Sequence, residues 1–140
     1  MSKVAVVYWS GTGNTEAMAS AVAEGAREKG AEVALFTASE FSADKLADYD
    51  AVAFGCPAMG AEVLEESEFQ PMFDECKPHL SGKKIALFGS YGWGDGEWMR
   101  TWEEDCLAAG ALLACDSVIC QDDPDADAIA ACQKLAEALK

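Results

Sequence analysis

Apolar residues along the chain occur either in short continuous runs or at helical spacing in longer segments. The apolar runs predict strands at residues 4–9, 31–37, 50–55, 83–89 and 111–120, with Asp116 interrupting the last. The third, at residues 50–55, is apolar throughout, as is typical of a strand buried on both faces. Helical spacing covers residues 16–29, 69–80, 97–109 and the segment that follows residue 122. Residues 39–48 are expected to form a short helix or turn in which Leu46 and Ala47 face inward.

This alternation predicts the α/β class, with a doubly wound, five-stranded parallel sheet that carries helices on both faces. A chain of 140 residues is the size of one domain, so we expect a single domain over residues 1–140. Ligands of such sheets bind beyond the carboxyl ends of the strands. Three loops meet that description, at residues 10–15, 57–62 and 90–96, and we expect them to converge on one site.

The first of these loops has the composition of a phosphate-binding turn. It reads Ser10, Gly11, Thr12, Gly13, Asn14, Thr15, and it lies between a strand and a helix. Its glycines allow close backbone approach, its hydroxyl and amide groups donate hydrogen bonds, and the helix N-terminus favours an anion. A capped helix, with Asn14 or Thr12 as N-cap, is the alternative interpretation.

The surroundings of the loop narrow the choice of ligand. Gly13 is followed by Asn-Thr-Glu rather than Lys-Ser/Thr, which argues against an NTPase P-loop. Glu16 occupies the third glycine position of the dinucleotide fingerprint, where a carboxylate would face a pyrophosphate. No lysine or arginine lies between Lys3 and Arg27, so neutral donors would bind the anion. These features favour a single phosphate monoester without a metal ion.

The two later loops favour a flat heterocycle beside that phosphate. Met59 is followed by Gly60, and Trp93 lies among glycines in the sequence Tyr-Gly-Trp-Gly-Asp-Gly. An aromatic side chain on a glycine-rich loop is available for stacking, although Trp93 could instead belong to the core.

Charge and cysteine content restrict the partners. The chain has 25 acidic and 10 basic residues, a net charge of −15, which disfavours nucleic acid and anionic membranes and favours basic protein surfaces. The six cysteines form no C-x-x-C pair, and Cys76, Cys106 and Cys132 fall on apolar helical faces, so we expect buried side chains. No apolar run approaches the ~20 residues of a membrane span, and no signal peptide is evident. We therefore expect a cytoplasmic monomer.

Three separate motifs resemble the flavodoxins, in particular the short-chain branch from anaerobic bacteria. The motifs are residues 8–15 (YWSGTGNT), the pair 58–60 and 62–69 (AMG and EVLEESEF), and residues 86–96 (ALFGSYGWGDG). The resemblance extends over the whole chain and implies the flavodoxin-like strand order 2-1-3-4-5 and one non-covalently bound FMN.

The resemblance also implies roles for individual residues. The phosphate would lie in residues 10–15, and the flavin ring between Met59 on its inner side and Trp93 on its outer side. Glu62 would face N3–H of the ring, and backbone N–H groups around Trp93 and Gly94 would approach O2. The Gly60–Ala61 peptide would turn on one-electron reduction, so that its carbonyl accepts a hydrogen bond from N5–H of the semiquinone. The remaining cofactor-binding residues implied are Ala58, Ser90, Tyr91 and Gly92.

Two positions depart from the family pattern. Pro57 stands where near relatives carry a serine that can reach the phosphate, and Ala61 stands where an aspartate often follows the glycine. The first change removes a donor, and the second removes a negative charge beside the flavin.

The function implied is that of a low-potential one-electron carrier, which shuttles between redox enzymes in place of a ferredoxin rather than acting on a substrate of its own. Its partners would present basic docking surfaces. The alternative is an FMN-dependent NAD(P)H reductase, which would need a cation for the nicotinamide nucleotide, and only Arg100 is close in sequence to the flavin loops.

Overall fold

The computed structural model describes residues 2–11, 13–59, 63–92 and 96–139. The strands are β1 (Lys3–Tyr8), β2 (Glu32–Thr37), β3 (Ala51–Gly55), β4 (Lys84–Tyr91), β5 (Leu112–Leu113) and β6 (Val118–Gln121). The α-helices are α1 (Asn14–Glu28), α2 (Phe69–Cys76), α3 (Glu97–Ala108) and α4 (Ala126–Leu139). Short 3-10 helices lie at Ala38–Glu40, Ala43–Asp48 and Lys77–His79.

The strands form one parallel sheet in the order β2-β1-β3-β4-β5, and β6 also pairs with β4. Strand β1 lies between β2 and β3, with Val6 opposite Leu35 on one side and Ala53 on the other. The predicted order 2-1-3-4-5 is confirmed. The predicted interruption of the last strand is confirmed too, because β5 and β6 are separated by the segment that contains Asp116.

Helices cover both faces of the sheet, as predicted. Alternate residues of β1 enter two separate cores, with Ala5 and Val7 on one face and Val4 and Val6 on the other. Aromatic side chains from α2 and α3 fill the first core, and smaller side chains from α1 and α4 fill the second. Cys76, Cys106 and Cys132 are fully buried, which confirms the interpretation of their apolar faces.

Three local predictions need correction. Strand β4 continues to Tyr91, so Ser90 and Tyr91 belong to the strand and not to the following loop. Ala47 is exposed while Leu46 is buried, because the 3-10 geometry of this segment turns successive side chains through about 120°. The α-helical part of the predicted helix 69–80 ends at Cys76, and Pro78, which lacks an N–H, lies in the 3-10 turn that follows.

No helix in the described part of the chain is long and apolar enough to cross a membrane.

Candidate functional site

A cavity of about 340 Å³ lies at the carboxyl ends of the central strands. Its lining comes from the first loop (Ser10, Gly11, Asn14, Thr15), the second loop (Pro57, Ala58, Met59), the end of β4 and the residue after it (Ser90, Tyr91, Gly92), and Trp9 and Asp122. The three loops singled out from the sequence therefore converge, because parallel strands end at one edge of the sheet. Thr12, Gly60, Ala61, Glu62, Trp93 and Gly94 lie outside the described residues.

The first loop leads into α1 without a side-chain cap. Gly13, at φ 97°, is the N-cap residue, and Asn14 is already helical, so the capped-helix interpretation with Asn14 as N-cap is wrong. The N–H of Gly13 donates a 3.0 Å hydrogen bond to Oγ of Ser10, which fixes the turn. A helix start without a side-chain cap leaves N–H groups of its first turn for an anionic ligand.

Thr15 provides the strongest sign of a ligand. Its side chain is 1% exposed, and its hydroxyl oxygen is buried without a hydrogen-bond partner among the described residues. An unsatisfied buried hydroxyl costs about 1–3 kcal/mol, so this position favours an acceptor that the described residues do not provide. A phosphate oxygen at the start of α1 is such an acceptor. The residues present therefore fit a phosphate monoester such as that of FMN.

Close backbone approach also explains a glycine of this loop. A Cβ at Gly11 would lie 3.0 Å from the ring of Trp9, whose indole N–H donates a 3.1 Å hydrogen bond to Glu68. Trp9 was not among the predicted site residues, although its position at the end of β1 could have indicated it. Its ring borders the cavity, and a Cβ at position 11 would require the ring to shift.

The second loop is attached to the sheet on its outgoing side. Cys56 N–H donates to the carbonyl of Phe88 (3.2 Å), and Ala58 N–H donates to the carbonyl of Ser90 (3.1 Å). Met59 then forms an antiparallel bridge with Val63, with N···O distances of 2.9 and 3.1 Å. This bridge joins the two described sides of the second loop, and Met59 lines the cavity.

Ser90 lies in the cavity wall, but its hydroxyl group is engaged elsewhere. It is 4% exposed and donates a 2.7 Å hydrogen bond to the backbone carbonyl of Asp122, while the N–H of Asp122 donates to the carbonyl of Tyr91 (2.8 Å). Asp122 has φ 58°, the only positive φ among the described non-glycine residues. A fourth loop, after β6, thus completes the cavity, and the edge-of-sheet rule applied to β6 would have found it.

Tyr91 lines the cavity, but its ring packs against a core residue and is not exposed for stacking. Its ring packs on Trp98 at a centroid distance of 5.5 Å, and the indole N–H of Trp98 donates to the carbonyl of Cys56 (3.1 Å). Tyr91 and Trp98 together support the floor beneath the second loop. Gly92 is exposed, and a Cβ there would come within 3.7 Å of the Asp122 carboxylate.

A second cavity, of about 490 Å³, adjoins the other side of the first loop. The hydroxyl of Tyr8 donates a 3.1 Å hydrogen bond to the Glu16 carboxylate there. Burial raises the pKa of the Tyr8 hydroxyl, and the hydrogen bond to Glu16 and the negative charge of Glu16 raise it further. Glu16, whose carboxylate is unfavourable for a dinucleotide at this loop, therefore lies in the wall of this polar cavity.

Comparisons with known proteins agree on one family. The family model described as Flavodoxin matches residues 6–134. A flavodoxin of Clostridium beijerinckii is 51% identical over 120 residues, which are 86% of this chain and 87% of that protein. The solution structure of two-electron reduced Megasphaera elsdenii flavodoxin has a TM-score of 0.88 at 44% identity and covers 97% of each chain. A flavodoxin from the domain Archaea has a TM-score of 0.84 at 27% identity, covering 96% of this chain and 93% of the other.

Proposed function

Because the chain belongs to the flavodoxin family, whose members are electron-transfer proteins that bind FMN non-covalently, we propose that it carries single electrons at low potential between redox enzymes, in place of a ferredoxin. The observation that carries the proposal is the buried, unpartnered hydroxyl of Thr15 beside the start of α1. FMN, when bound, supplies the one-electron chemistry. The residues of this chain bind it, orient it and limit its access to water.

The phosphate end of FMN would be held by residues of the first loop. Thr15 would donate its free hydroxyl, and Asn14 would add an amide from the same wall of the cavity. The Ser10 oxygen accepts from Gly13, and its own hydroxyl hydrogen remains able to reach a phosphate. Thr12 belongs to the proposal by family resemblance.

The ring end would lie over the second loop and the end of β4. Ala58 and Met59 border the cavity there, and the carbonyl of Ser90 fixes the position of Ala58. The contacts proposed for Gly60, Ala61, Glu62, Trp93 and Gly94 rest on family resemblance, with Trp93 as the outer stacking partner.

Charge supports basic redox proteins as partners. The chain carries −15 overall, and the segment beside the second loop contains Glu65, Glu66 and Glu68, of which Glu66 and Glu68 are exposed. Such a surface attracts a basic partner within about one Debye length, roughly 8–10 Å at physiological salt. We further propose that the protein acts as a cytoplasmic monomer, and that residues 1–140 are a single domain, of which the family model covers residues 6–134.

Titration of the apoprotein with FMN tests the site. Thr15→Val keeps the shape of the side chain and removes the hydroxyl, so it should weaken FMN binding about tenfold or more, the loss expected for one charge-assisted hydrogen bond of about 1.5–3 kcal/mol. Thr101→Val is the matched control, because Thr101 is exposed on α3 away from this cavity. Equal dissociation constants for the two variants would place the phosphate elsewhere.

A second measurement separates the carrier from the NAD(P)H reductase, which the comparisons do not favour. The purified holoprotein should pass electrons to a one-electron acceptor after chemical reduction, and it should not oxidise NADPH at a steady rate when supplied alone. Sustained NADPH oxidation by the isolated protein would contradict the carrier assignment.

A further inference from the structure

The loop between β3 and α2 has two limbs that are attached in different ways. The outgoing limb, residues 56–59, continues the pairing of β3 with β4 through the bonds from Cys56 to Phe88 and from Ala58 to Ser90. The sheet therefore holds this limb directly, as an extension of its central ladder.

The returning limb, residues 63–65, is attached to the outgoing limb and to α2. Val63 pairs with Met59, and the N–H of Glu65 donates to Sγ of Cys56 at 3.3 Å. Within the described ranges, no backbone hydrogen bond joins this limb to a strand of the sheet. Its position relative to the rest of the protein thus depends on the burial of Leu64 and on the junction with α2 at Glu65.

That junction is formed by one buried carboxylate. Glu65 is 5% exposed, and its Oε1 accepts hydrogen bonds from the N–H groups of Glu68 (2.7 Å) and Phe69 (2.8 Å). Its Oε2 accepts from the N–H of Ser67 (2.9 Å) and from the Ser67 hydroxyl, and its backbone carbonyl accepts from Gln70. A carboxylate at a helix start satisfies free N–H groups and meets the positive end of the helix dipole.

Helix α2 is a rigid support for this attachment. Phe69 is fully buried, stacks on Phe73 at 6.3 Å and meets Trp102 edge-on at 5.5 Å. A limb fixed to the first turn of α2 is therefore fixed to the aromatic core.

We infer that Glu65 is a positioning residue for the cofactor, because its carboxylate fixes the returning limb and, through the Met59–Val63 bridge, the position of Met59 in the cavity wall. The inference rests on the proposed function, in which Met59 and the Gly60–Ala61 peptide are expected to contact FMN. A loosened limb must be ordered again whenever the Gly60–Ala61 peptide contacts the cofactor. The cost falls on the reduced states, in which the family resemblance places the contact.

The test compares Glu65→Gln with Asp74→Gly. Glutamine keeps the shape of the side chain, but its amide nitrogen cannot accept the hydrogen bonds that one of the two carboxylate oxygens now accepts. Asp74 is exposed on the same helix, where its carboxylate accepts a hydrogen bond from the Gln70 side chain, so glycine there weakens α2 and leaves every hydrogen bond to the Glu65 carboxylate in place. Amide hydrogen exchange in the apoprotein and the two one-electron potentials of the FMN-bound protein are measured for both variants.

For Glu65→Gln we expect exchange at Val63 and Glu65 at least tenfold faster than in Asp74→Gly. We also expect a three- to tenfold loss in the preference for reduced over oxidised FMN, which lowers the first potential by about 30–60 mV. The inference is overturned if the two variants, at equal melting temperatures, have the same exchange rates and the same first potential. Glu65 would then be an ordinary helix cap.

Two further measurements cover the cases in which Glu65→Gln does not fold or the parent protein binds no FMN. If Glu65→Gln does not fold, Ser67→Ala removes one donor to the same carboxylate and should produce smaller changes in the same direction, and no change there would also overturn the inference. If the parent protein binds no FMN, the proposed function fails, while the exchange data on the apoprotein still decide whether Glu65 holds the limb.

Discussion

The side chain of Ser90 joins the end of β4 to the loop after β6 by donating a 2.7 Å hydrogen bond to the carbonyl of Asp122. The two residues are 32 positions apart, and both line the cavity that we assign to FMN. A hydroxyl group in the wall of the site thus supports a neighbouring loop whose backbone has an unfavourable positive φ.

Ser90→Ala should therefore destabilise the protein and weaken FMN binding. Loss of the donor leaves the Asp122 carbonyl short of a partner, at a cost of about 1 kcal/mol in the free energy of unfolding. Ser117→Ala is a matched control, since the Ser117 hydroxyl donates a 2.7 Å hydrogen bond to Glu103 in a region outside the cavity. Denaturant unfolding should show similar losses for both variants, and FMN titration should show weaker binding only for Ser90→Ala. Tighter FMN binding by Ser90→Ala than by Ser117→Ala would contradict the role given to Ser90.

Gly89→Ala should be far more damaging than Gly11→Ala. A Cβ at Gly89 would lie 2.2 Å from the carbonyl oxygen of Cys56, which is backbone and cannot move aside without breaking the pairing of β3 with β4. A Cβ at Gly11 would lie 3.0 Å from the end of the half-buried Trp9 side chain, which can rotate. We expect about 3 kcal/mol of destabilisation for Gly89→Ala and less than half of that for Gly11→Ala, measured on the apoproteins by urea unfolding. Similar values for both would show that the β3–β4 junction can adapt.

The contribution of Glu65 to stability should depend on pH. Burial by itself would raise the pKa of this carboxyl, but the hydrogen bonds from the Ser67 side chain and from the N–H groups of Phe69, Glu68 and Ser67 outweigh burial and lower it. A carboxyl whose pKa is lower in the folded state stabilises the fold above its unfolded value, and the stabilisation is lost as pH falls through the folded value. The difference in unfolding free energy between the parent and Glu65→Gln should thus be largest near neutral pH.

It should shrink below the ordinary glutamate value of 4.5. Urea unfolding of both proteins between pH 7 and pH 3 provides the measurement. A difference that stays constant over this range would mean that the carboxylate charge adds nothing to the cap.

The six free thiols should differ sharply in reactivity. Burial raises the pKa of the Cys56, Cys76, Cys106 and Cys132 thiols to about 12, and the four side chains are fully buried. Cys115 and Cys120 are half-buried, and burial raises the pKa of each to a smaller extent.

An alkylating reagent at pH 8 should therefore modify at most Cys115 and Cys120 in the native protein, slowly, and all the cysteines after unfolding. Mass spectrometry of the peptides identifies the sites. Rapid native labelling of Cys76 or Cys132 would show that one of the two cores opens readily.

Much of the architecture was determined by the sequence alone, because its signals are local. Continuous apolar runs and helical spacing are properties of short segments, and alternation of the two is enough to require a parallel sheet with helices on both faces. The edge-of-sheet rule then brought Ser10, Thr15 and Met59 to one cavity. The sequence similarity to flavodoxins agrees with the predicted fold class.

Tertiary structure alone decided which polar groups of the site remain free. Ser90 and Thr15 are both buried hydroxyl residues beside the cavity, yet Ser90 is satisfied by Asp122 while Thr15 has no partner in the part of the chain that the structure describes. Nothing in the local pattern distinguishes them, because a hydrogen bond between residues 32 positions apart depends on the register of β4 against β6. Glu65 is a similar case. Its acidic neighbours in the sequence suggest a solvent-exposed segment. The Glu65 carboxylate is a buried acceptor only because the folded chain places it against the first N–H groups of α2.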